Sequence, residues 1–545
     1  MVLMLAGCNN SEKKPDPVST DPTGPTGTNE TVGVDPTVPQ DLVIAFYGEG
    51  MGVTMDPQMA WSYADWEMFN QTYDTLVTTD YDGRTIKDAL AASWDVSEDG
   101  LTYTFHLKEG VKFHSGAACT SEDVKWTFER WTTHPEAQYA YYLDFVESIE
   151  TPDDLTLVLN LSQPDNNLLI NLTVPVASIL NKEAIEKAEA DGKVYGREVV
   201  DGTGPFKFVE YVPGDHLTIE RNDEYAWGSS IYKNSGAPYL DTVTFRFIPE
   251  AGTRQMELLA GNVHMLGTGS TFASEVQGII DQGFVMVEYF PPYPVFLMFQ
   301  TERVPDKAVR QAFYMAVDRK EIIDTVMDGH AIEMKGGLPA DYPWYWEGTD
   351  NYYDHDIEAA NKLLEDNGYI LGNDGYRYKD GKQLTIEISY CASEEDATMA
   401  IVLQAQVKKI GINLTINTST NDFWTRIGGA GDNDFDVLIM ELYINSAEDM
   451  LQEYLYSKNR PSPNRGKWSS DEVDALLVEA RSAIDQDRRA NLYNQIQEIV
   501  LEEALWVPIY SRNGWTIVSP RMQGYQAHPT IVEGCPKLCD VYLSE

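Results

Sequence analysis

The chain holds 545 residues, with 40 Lys+Arg against 86 Asp+Glu and a formal net charge of −46. That balance excludes a nucleic-acid binder working through a basic footprint, and a protein docking on anionic lipid heads by its own charge. Apolar residues make up 43% and aromatic ones 11%, with 31 Tyr and 12 Trp, so the chain is globular, several folded units long and rich in rings that suit a ligand pocket.

At the start of the chain, Met1 to Gly7 is an apolar run far too short to span a bilayer. Leu5-Ala6-Gly7-Cys8 places small residues before a cysteine and resembles the bacterial lipobox. Residues 1–8 are therefore expected to be a truncated signal peptide and lipobox, with Cys8 as the lipidation site. Asn9 to Gln40 carries six Pro, six Thr and no aromatic residue. Such a segment buries too little apolar surface to fold, so 9–40 is expected to be a disordered tether.

From Asp41 the pattern alternates between strands and helices. Leu42 to Phe46 is an apolar run suited to a buried strand. Leu101 to Leu107, then Glu109-Gly110, then Val111 to His114 predicts a hairpin with Tyr103, Phe105 and Leu107 on one face. Thr120 with Asp123 predicts a helix start, and Val124, Phe128 and Trp131 line one side of that helix. Strands are expected at Leu155–Leu161, Phe206–Val212, Leu217–Arg221 and Thr242–Ile248. Asp306 and Asp318 cap two further helices, the second ending at Gly329. Helices over Asp356–Asn367 and Glu395–Ile410 stop at Gly368 and Gly411, and amphipathic helices follow at Asp471–Ile484 and Arg488–Glu503. Mixed elements without a repeat indicate an α/β architecture of several lobes.

The five cysteines, Cys8, Cys119, Cys391, Cys535 and Cys539, form no Cys-x-x-Cys pair. Cys535 and Cys539 are close enough in sequence for a possible disulfide in an oxidising compartment. The eight His are scattered, with no His-Glu-x-x-His and no Gly-x-Ser-x-Gly elbow in the chain. Gly202-Thr-Gly204-Pro205 lacks the Gly-Lys-Ser/Thr ending of a phosphate loop, and Pro205 removes a donor, so a tight turn is the expectation there. No catalytic residue, metal site or cofactor is expected.

Several segments carry a family resemblance. They are Leu101 to Gly116 (LTYTFHLKEGVKFHSG) with Ser121 to Arg130 (SEDVKWTFER), Gly202 to Phe208 (GTGPFKF) with Glu220 to Tyr225, Val309 to Arg319 (VRQAFYMAVDR), Ala359 to Leu364 with Asn367-Gly-Tyr369, and Gly411-Ile412 with Phe435-Asp436. In this order and spacing the chain resembles the bacterial extracellular solute-binding proteins of family 5, the large peptide- and nickel-type receptors of ABC importers, over about Asp41 to Ser519. The resemblance implies a two-lobed periplasmic-binding-protein-like fold (type II, cluster C) with an additional third domain. Lobe I would comprise 41–64, 199–291 and 508–545, the extra domain 65–198 and lobe II 292–507. Hinges would lie near Pro291-Pro292 and Val507-Pro508.

The function the resemblance implies is capture of a solute, an oligopeptide in the first instance, and delivery to a membrane permease without chemistry on the guest. The protein would be a monomer on the extracytoplasmic face of the cytoplasmic membrane or in the periplasm, anchored by lipid, with no nucleic-acid partner. An oligosaccharide receptor of the same fold is the alternative, and a surface enzyme or chaperone-like factor is a reading of a different class. In peptide-binding relatives an Asp just after the Phe-Asp strand grips the ligand's ammonium. Here that place falls near Tyr443, with Glu441 or Asp449 as substitutes, and the usual grip on both peptide ends is not visible. Candidate ligand-binding residues are Tyr63, Trp66, Tyr293, Phe296, Trp344, Trp346, Trp424, Glu441, Tyr443, Asn445 and Tyr510.

Overall fold

A computed structural model describes residues 33–46, 54–59, 63–267, 273–340, 342–390, 394–417, 427, 433–441, 447–528 and 537–545. The strands used below are β1 (Asp41–Phe46), β2 (Ala91–Val96), β3 (Thr102–Leu107), β4 (Val146–Asp153), β5 (Thr156–Leu161), β6 (Phe206–Val212), β7 (His216–Arg221), β8 (Thr242–Phe247), β9 (Met265–Leu266), β10 (Val285–Phe299), β11 (Ile332–Glu333), β12 (Thr385–Ser389), β13 (Asn413–Asn417), β14 (Val437–Glu441) and β15 (Trp506–Val518). The helices are α1 (Tyr63–Thr72), α2 (Ser121–Thr133), α3 (Lys182–Ala190), α4 (Ala251–Leu259), α5 (Ala273–Ile280), α6 (Lys307–Ala316), α7 (Arg319–Val326), α8 (Ile357–Asp366), α9 (Glu394–Lys408), α10 (Ala447–Leu455), α11 (Asp471–Ser482) and α12 (Gln486–Glu502).

Local chemistry accounts for most element ends. Thr120 and Asp123 make the capping box that opens α2, and Val124, Phe128 and Trp131 are fully buried. Asp306, Asp318, Asp356, Ser470 and Asp485 each accept a backbone N–H at the first turn of α6, α7, α8, α11 and α12. Gly329, Gly368 and Gly411 follow α7, α8 and α9 with φ of 82°, 84° and 79°, the left-handed region that a glycine enters at little cost.

One long sheet runs in the order β13-β12-β14-β10-β15-β9-β1-β8-β7-β6, with β11 on the other edge of β15. A four-stranded antiparallel sheet, β2-β3-β5-β4, stands apart from it. The apolar cores divide the molecule in two. One core joins Ile44, Phe46, Val243 and Phe245 of the first half to Phe105 and Leu157 of the small sheet and Trp131 of α2. The second half is filled separately on the two faces of its strands, by Leu297, Phe313, Ile388 and Leu403 on one side and by Phe296, Leu451, Leu477 and Trp506 on the other. The fold is thus the two-lobed α/β architecture with an added third domain.

Among the described residues only β10 and β15 run through both halves of the sheet, and they pair with each other antiparallel along their length. Their register breaks between Tyr289 and Tyr293, opposite Gly514 and Arg512, and again between Val295 and Phe296, opposite Tyr510 and Pro508. Pro291, Pro292 and Pro294 fall in this stretch; a proline has no N–H to give to a ladder, so the sheet is weakest where it passes from one half to the other.

Two local expectations change. Val111 to His114 does not form a hairpin strand with β3. That segment makes a single bridge, Lys112 to Ala118, while β3 pairs with β2 and β5, because a strand buried on one face takes whichever partners close the core. The last residues of the segment expected as tether are packed. Val38 and Gln40 are buried, and the Gln40 amide exchanges hydrogen bonds with the backbone of Leu543 at 3.0 and 2.8 Å.

Candidate functional site

The strand directions locate the site. In the first half β1 is parallel to β8 and β9, and β9 runs in the same sense as β10, since both oppose β15. In the second half β12 is parallel to β13 and β14, and β14 opposes β10. Strands from both halves therefore point their carboxyl ends at the crossing, ending at Phe46, Leu266, Ser389, Asn417 and Glu441. Ligands of open α/β sheets bind outside such ends, where the backbone turns away and leaves a crevice.

A charged cluster occupies the crossing. Arg512 of β15 donates Nε to Glu441 Oε1 at 2.6 Å, makes a second, shorter bond to the same oxygen through Nη2, and has Nη1 3.5 Å from Glu395 of α9. Its guanidinium carbon also lies 5.9 Å from the Trp515 ring centroid. Burial raises the Glu395 carboxyl above its ordinary value, with Arg512 pulling it back and Glu441 adding to the rise. Burial also pushes the Tyr510 hydroxyl far up, reinforced by Glu441, Glu395 and Asp396. Among the described residues of the cluster one cation thus faces two carboxyl groups at close range, so acids outnumber bases there. Nearby, a cavity of about 300 Å³ is lined from both halves, by Ile280, Met286 and Glu288 on one side, His330 and Ile332 on the other, and Trp515 of the crossing strand. A cavity of that size lies at the small end of ligand pockets.

On the opposite face of the second half, Trp344 donates Nε1 to Glu448 of α10, and Arg489 stands 4.6 Å from its ring. Between the small sheet and the second half, Tyr141 donates its hydroxyl to Glu453 of α10 at 2.9 Å. Burial pushes the Glu453 carboxyl up to about 7, while Tyr141 and Arg465 act the other way.

The candidate residues are distributed as follows. Glu441 and Tyr510 come together around Arg512. The backbone of Tyr293 pairs with that of Arg512. Phe296 is core, 5.0 Å from the Trp506 ring. Trp66 is buried, edge-on to Tyr139 at 5.6 Å, and Tyr139 in turn feels the charge of Glu453. Trp346 packs against Tyr352 beside the core of the second half, apart from the cluster. Of Tyr63 only the backbone is described, as the start of α1. Trp424, Tyr443, Asn445, Cys8 and Cys535 lie outside the described residues. Cys539 is a buried free thiol. Among the described residues no group of three His, Cys, Asp or Glu is placed to hold a metal ion, and no helix is long and apolar enough to cross a membrane. Sequence reasoning missed Arg512 and Glu395. The available signal was one basic residue in the long apolar run from Trp506 to Val518.

Two of the quoted motifs prove to be one structural unit. His114 accepts from the Gly202 N–H at Nδ1 (3.3 Å), and its Nε2 lies 3.0 Å from the Gly204 carbonyl. Gly204 donates to Thr72 O at the end of α1, at 2.9 Å. The glycines are there for closeness: a Cβ on Gly202 would stand 2.2 Å from Thr72 O, and one on Gly204 would stand 2.4 Å from the Thr72 carbonyl carbon.

The family model described as bacterial extracellular solute-binding proteins, family 5 Middle, matches residues 85–463. The chain is 30% identical over 496 residues to heme-binding protein A of Haemophilus influenzae, covering 84% of this chain and 85% of that one. It is 26% identical over 498 residues to oligopeptide-binding protein AppA of Bacillus subtilis, covering 90% and 89%. Among solved structures, DppA from Helicobacter pylori in complex with the peptide STSA has a TM-score of 0.79 at 26% identity, over 93% of this chain and 98% of that one. AppA from Bacillus subtilis in complex with a nonapeptide has a TM-score of 0.80 at 24% identity, over 93% and 100%, a likeness of fold. The crossing strands, the converging strand ends and the family match lead to one conclusion: the chain belongs to the bacterial extracellular solute-binding proteins of family 5.

Proposed function

We propose that this chain is the receptor subunit of an ABC importer, that Cys8 carries a lipid anchor and residues 9 to about 37 a tether, and that its guest is an oligopeptide held by hinge closure between lobes 41–64 + 199–291 + 508–545 and 292–507, with 65–198 as the extra domain. The observation that carries the peptide reading is the excess of acid at the crossing. Arg512 neutralises one of the two carboxylates, Glu441 and Glu395, that flank it, and the remaining negative charge complements the ammonium group of a peptide N-terminus. Peptide-binding relatives across most of the chain support the same class. A guest that presents carboxylates and no ammonium group, as a haem does through its two propionates, brings like charge there.

Titration calorimetry with pools of two- to nine-residue peptides tests this reading. A stoichiometric complex is expected, weakened about tenfold or more when the peptides are N-acetylated, because about 1.4 kcal/mol separates a tenfold change in affinity. Equal affinity for acetylated and free peptides, or saturable binding of haem or cello-oligosaccharides with none of peptides, sinks it.

A further inference from the structure

The first half and the small sheet share one apolar core, whereas the second half keeps its own. A polar seam joins the small sheet to the second half. In the turn after β5, Asp165 accepts Arg481 Nε on Oδ1 at 2.9 Å and Nη2 on Oδ2 at 2.6 Å, and the two side chains are 1% and 6% exposed. Asp165 is held ready by its own side of the seam. The Asn167 N–H donates to its carboxylate at 3.0 Å, and the Tyr103 hydroxyl donates to its carbonyl at 3.2 Å. Arg481 also donates to Tyr142 O at 3.2 Å and stacks 4.2 Å over the Phe145 ring.

Asn166 adds a second device. Its backbone N–H and its Nδ2 donate to the Arg481 carbonyl at 3.0 and 2.9 Å, and Nδ2 donates again to Ala483 O at 2.8 Å. These are carbonyls at the end of α11, a place where a helix runs out of internal donors. A residue of one half thus caps a helix of the other. Tyr141 reaching Glu453 extends the seam onto α10.

We propose that Asp165, Asn166 and Arg481, with Tyr141 and Glu453 beside them, form a closing latch, made whenever the two halves shut, with or without a guest, and broken when they part. The proposal rests on the hinge closure of the proposed function, and it does not depend on the guest being a peptide. The chemistry suits a reversible contact. Taking a paired guanidinium and carboxylate out of water costs nearly what their attraction returns, so the pair specifies one closed geometry without locking it. When the seam opens, water can take every donor and acceptor in it, whereas an opened apolar core would have no such substitute. A guest that selects the closed state binds in proportion to how often that state is populated, so the latch tunes affinity for every guest alike.

The test uses ligand-free full chain carrying Arg481→Gln, Asp165→Asn or Asn166→Ala, compared with the unsubstituted protein by small-angle scattering and hydrogen exchange. The expected result is a larger radius of gyration for the first two variants. Exchange at residue 166 should quicken at least tenfold in all three, with β3 and β5 still protected. Superimposable scattering curves and unchanged exchange overturn the latch, whatever the protein binds. If a substitution at the buried pair also strips protection from β3 and β5, Asn166→Ala decides alone. It removes only an exposed amide, and unchanged exchange in that variant overturns the proposal.

Discussion

Gly204 and Arg512 show two ways in which a single position is dictated from far along the chain. Gly204 sits where the backbone after the small sheet passes the end of α1, and any Cβ there meets Thr72 carbonyl atoms at 2.4 Å. Backbone cannot rotate away as a side-chain tip can, so Gly204→Ala should destabilise the fold by on the order of 3 kcal/mol, read from the urea midpoint. An unchanged midpoint would mean that the approach is looser than described. Arg512 is the counter-ion of two carboxylates. Arg512→Gln removes the one cation that pairs with both among the described residues, and the group is partly exposed, so the expected loss is about 2 kcal/mol rather than the full cost of a wholly buried pair. The same variant should bind a cationic peptide terminus more tightly, because the site becomes more acidic; calorimetry reads the sign.

At the scale of elements, caps and stops were legible because they act within one turn of chain. Asp485 accepts the Arg488 N–H at 2.7 Å to open α12. Asp485→Ala should cost about 1 kcal/mol in a denaturant titration, and Asp485→Ser should restore most of it. The strand β3 was legible as a face, with Tyr103, Phe105 and Leu107 all buried, but not as a pairing. Alternation says which side of a strand is apolar. It does not say that β5, some fifty residues on, supplies the partner rather than the adjacent Val111 to His114. The prolines of β10 fall at the crossing, where the register breaks opposite Gly514 and Arg512.

At the scale of the whole molecule, buried titrating groups set the response to acid. Burial pushes His114 and His528 down to about 4. Unfolded histidines take protons near 6.5, so from there down to about 4 the unfolded chain binds more protons and stability falls as pH falls. Glu453 acts the other way. Held up at about 7, it keeps a proton that the unfolded chain releases, so its penalty is complete above pH 7 and relieved as pH drops towards 4.5. Among these three groups two histidines oppose one carboxyl, and their joint share between pH 6.5 and 4.5 is a loss on the order of 1 kcal/mol per pH unit, which the raised carboxyls of Asp65 and Glu395 reduce. Glu453→Gln should steepen that slope and His528→Gln should flatten it, as urea unfolding at several pH values would show. A slope that neither variant changes would assign the acid response to other groups.

The amino-acid sequence by itself determined the family, through motifs spread along the chain, and many of the strands, helices, caps and stops, with the buried faces of β3 and α2, since local elements rest on neighbours within a few residues. It also named Glu441 and Tyr510, which the fold brings together around Arg512. Only the tertiary structure supplied Arg512 as their partner, 71 residues from Glu441, and joined Arg481 to Asp165 across 316 residues. Such pairs are fixed by how the two halves of the sheet meet at β10 and β15. Charge and spacing along a chain carry no record of which distant groups that meeting will bring within a hydrogen bond.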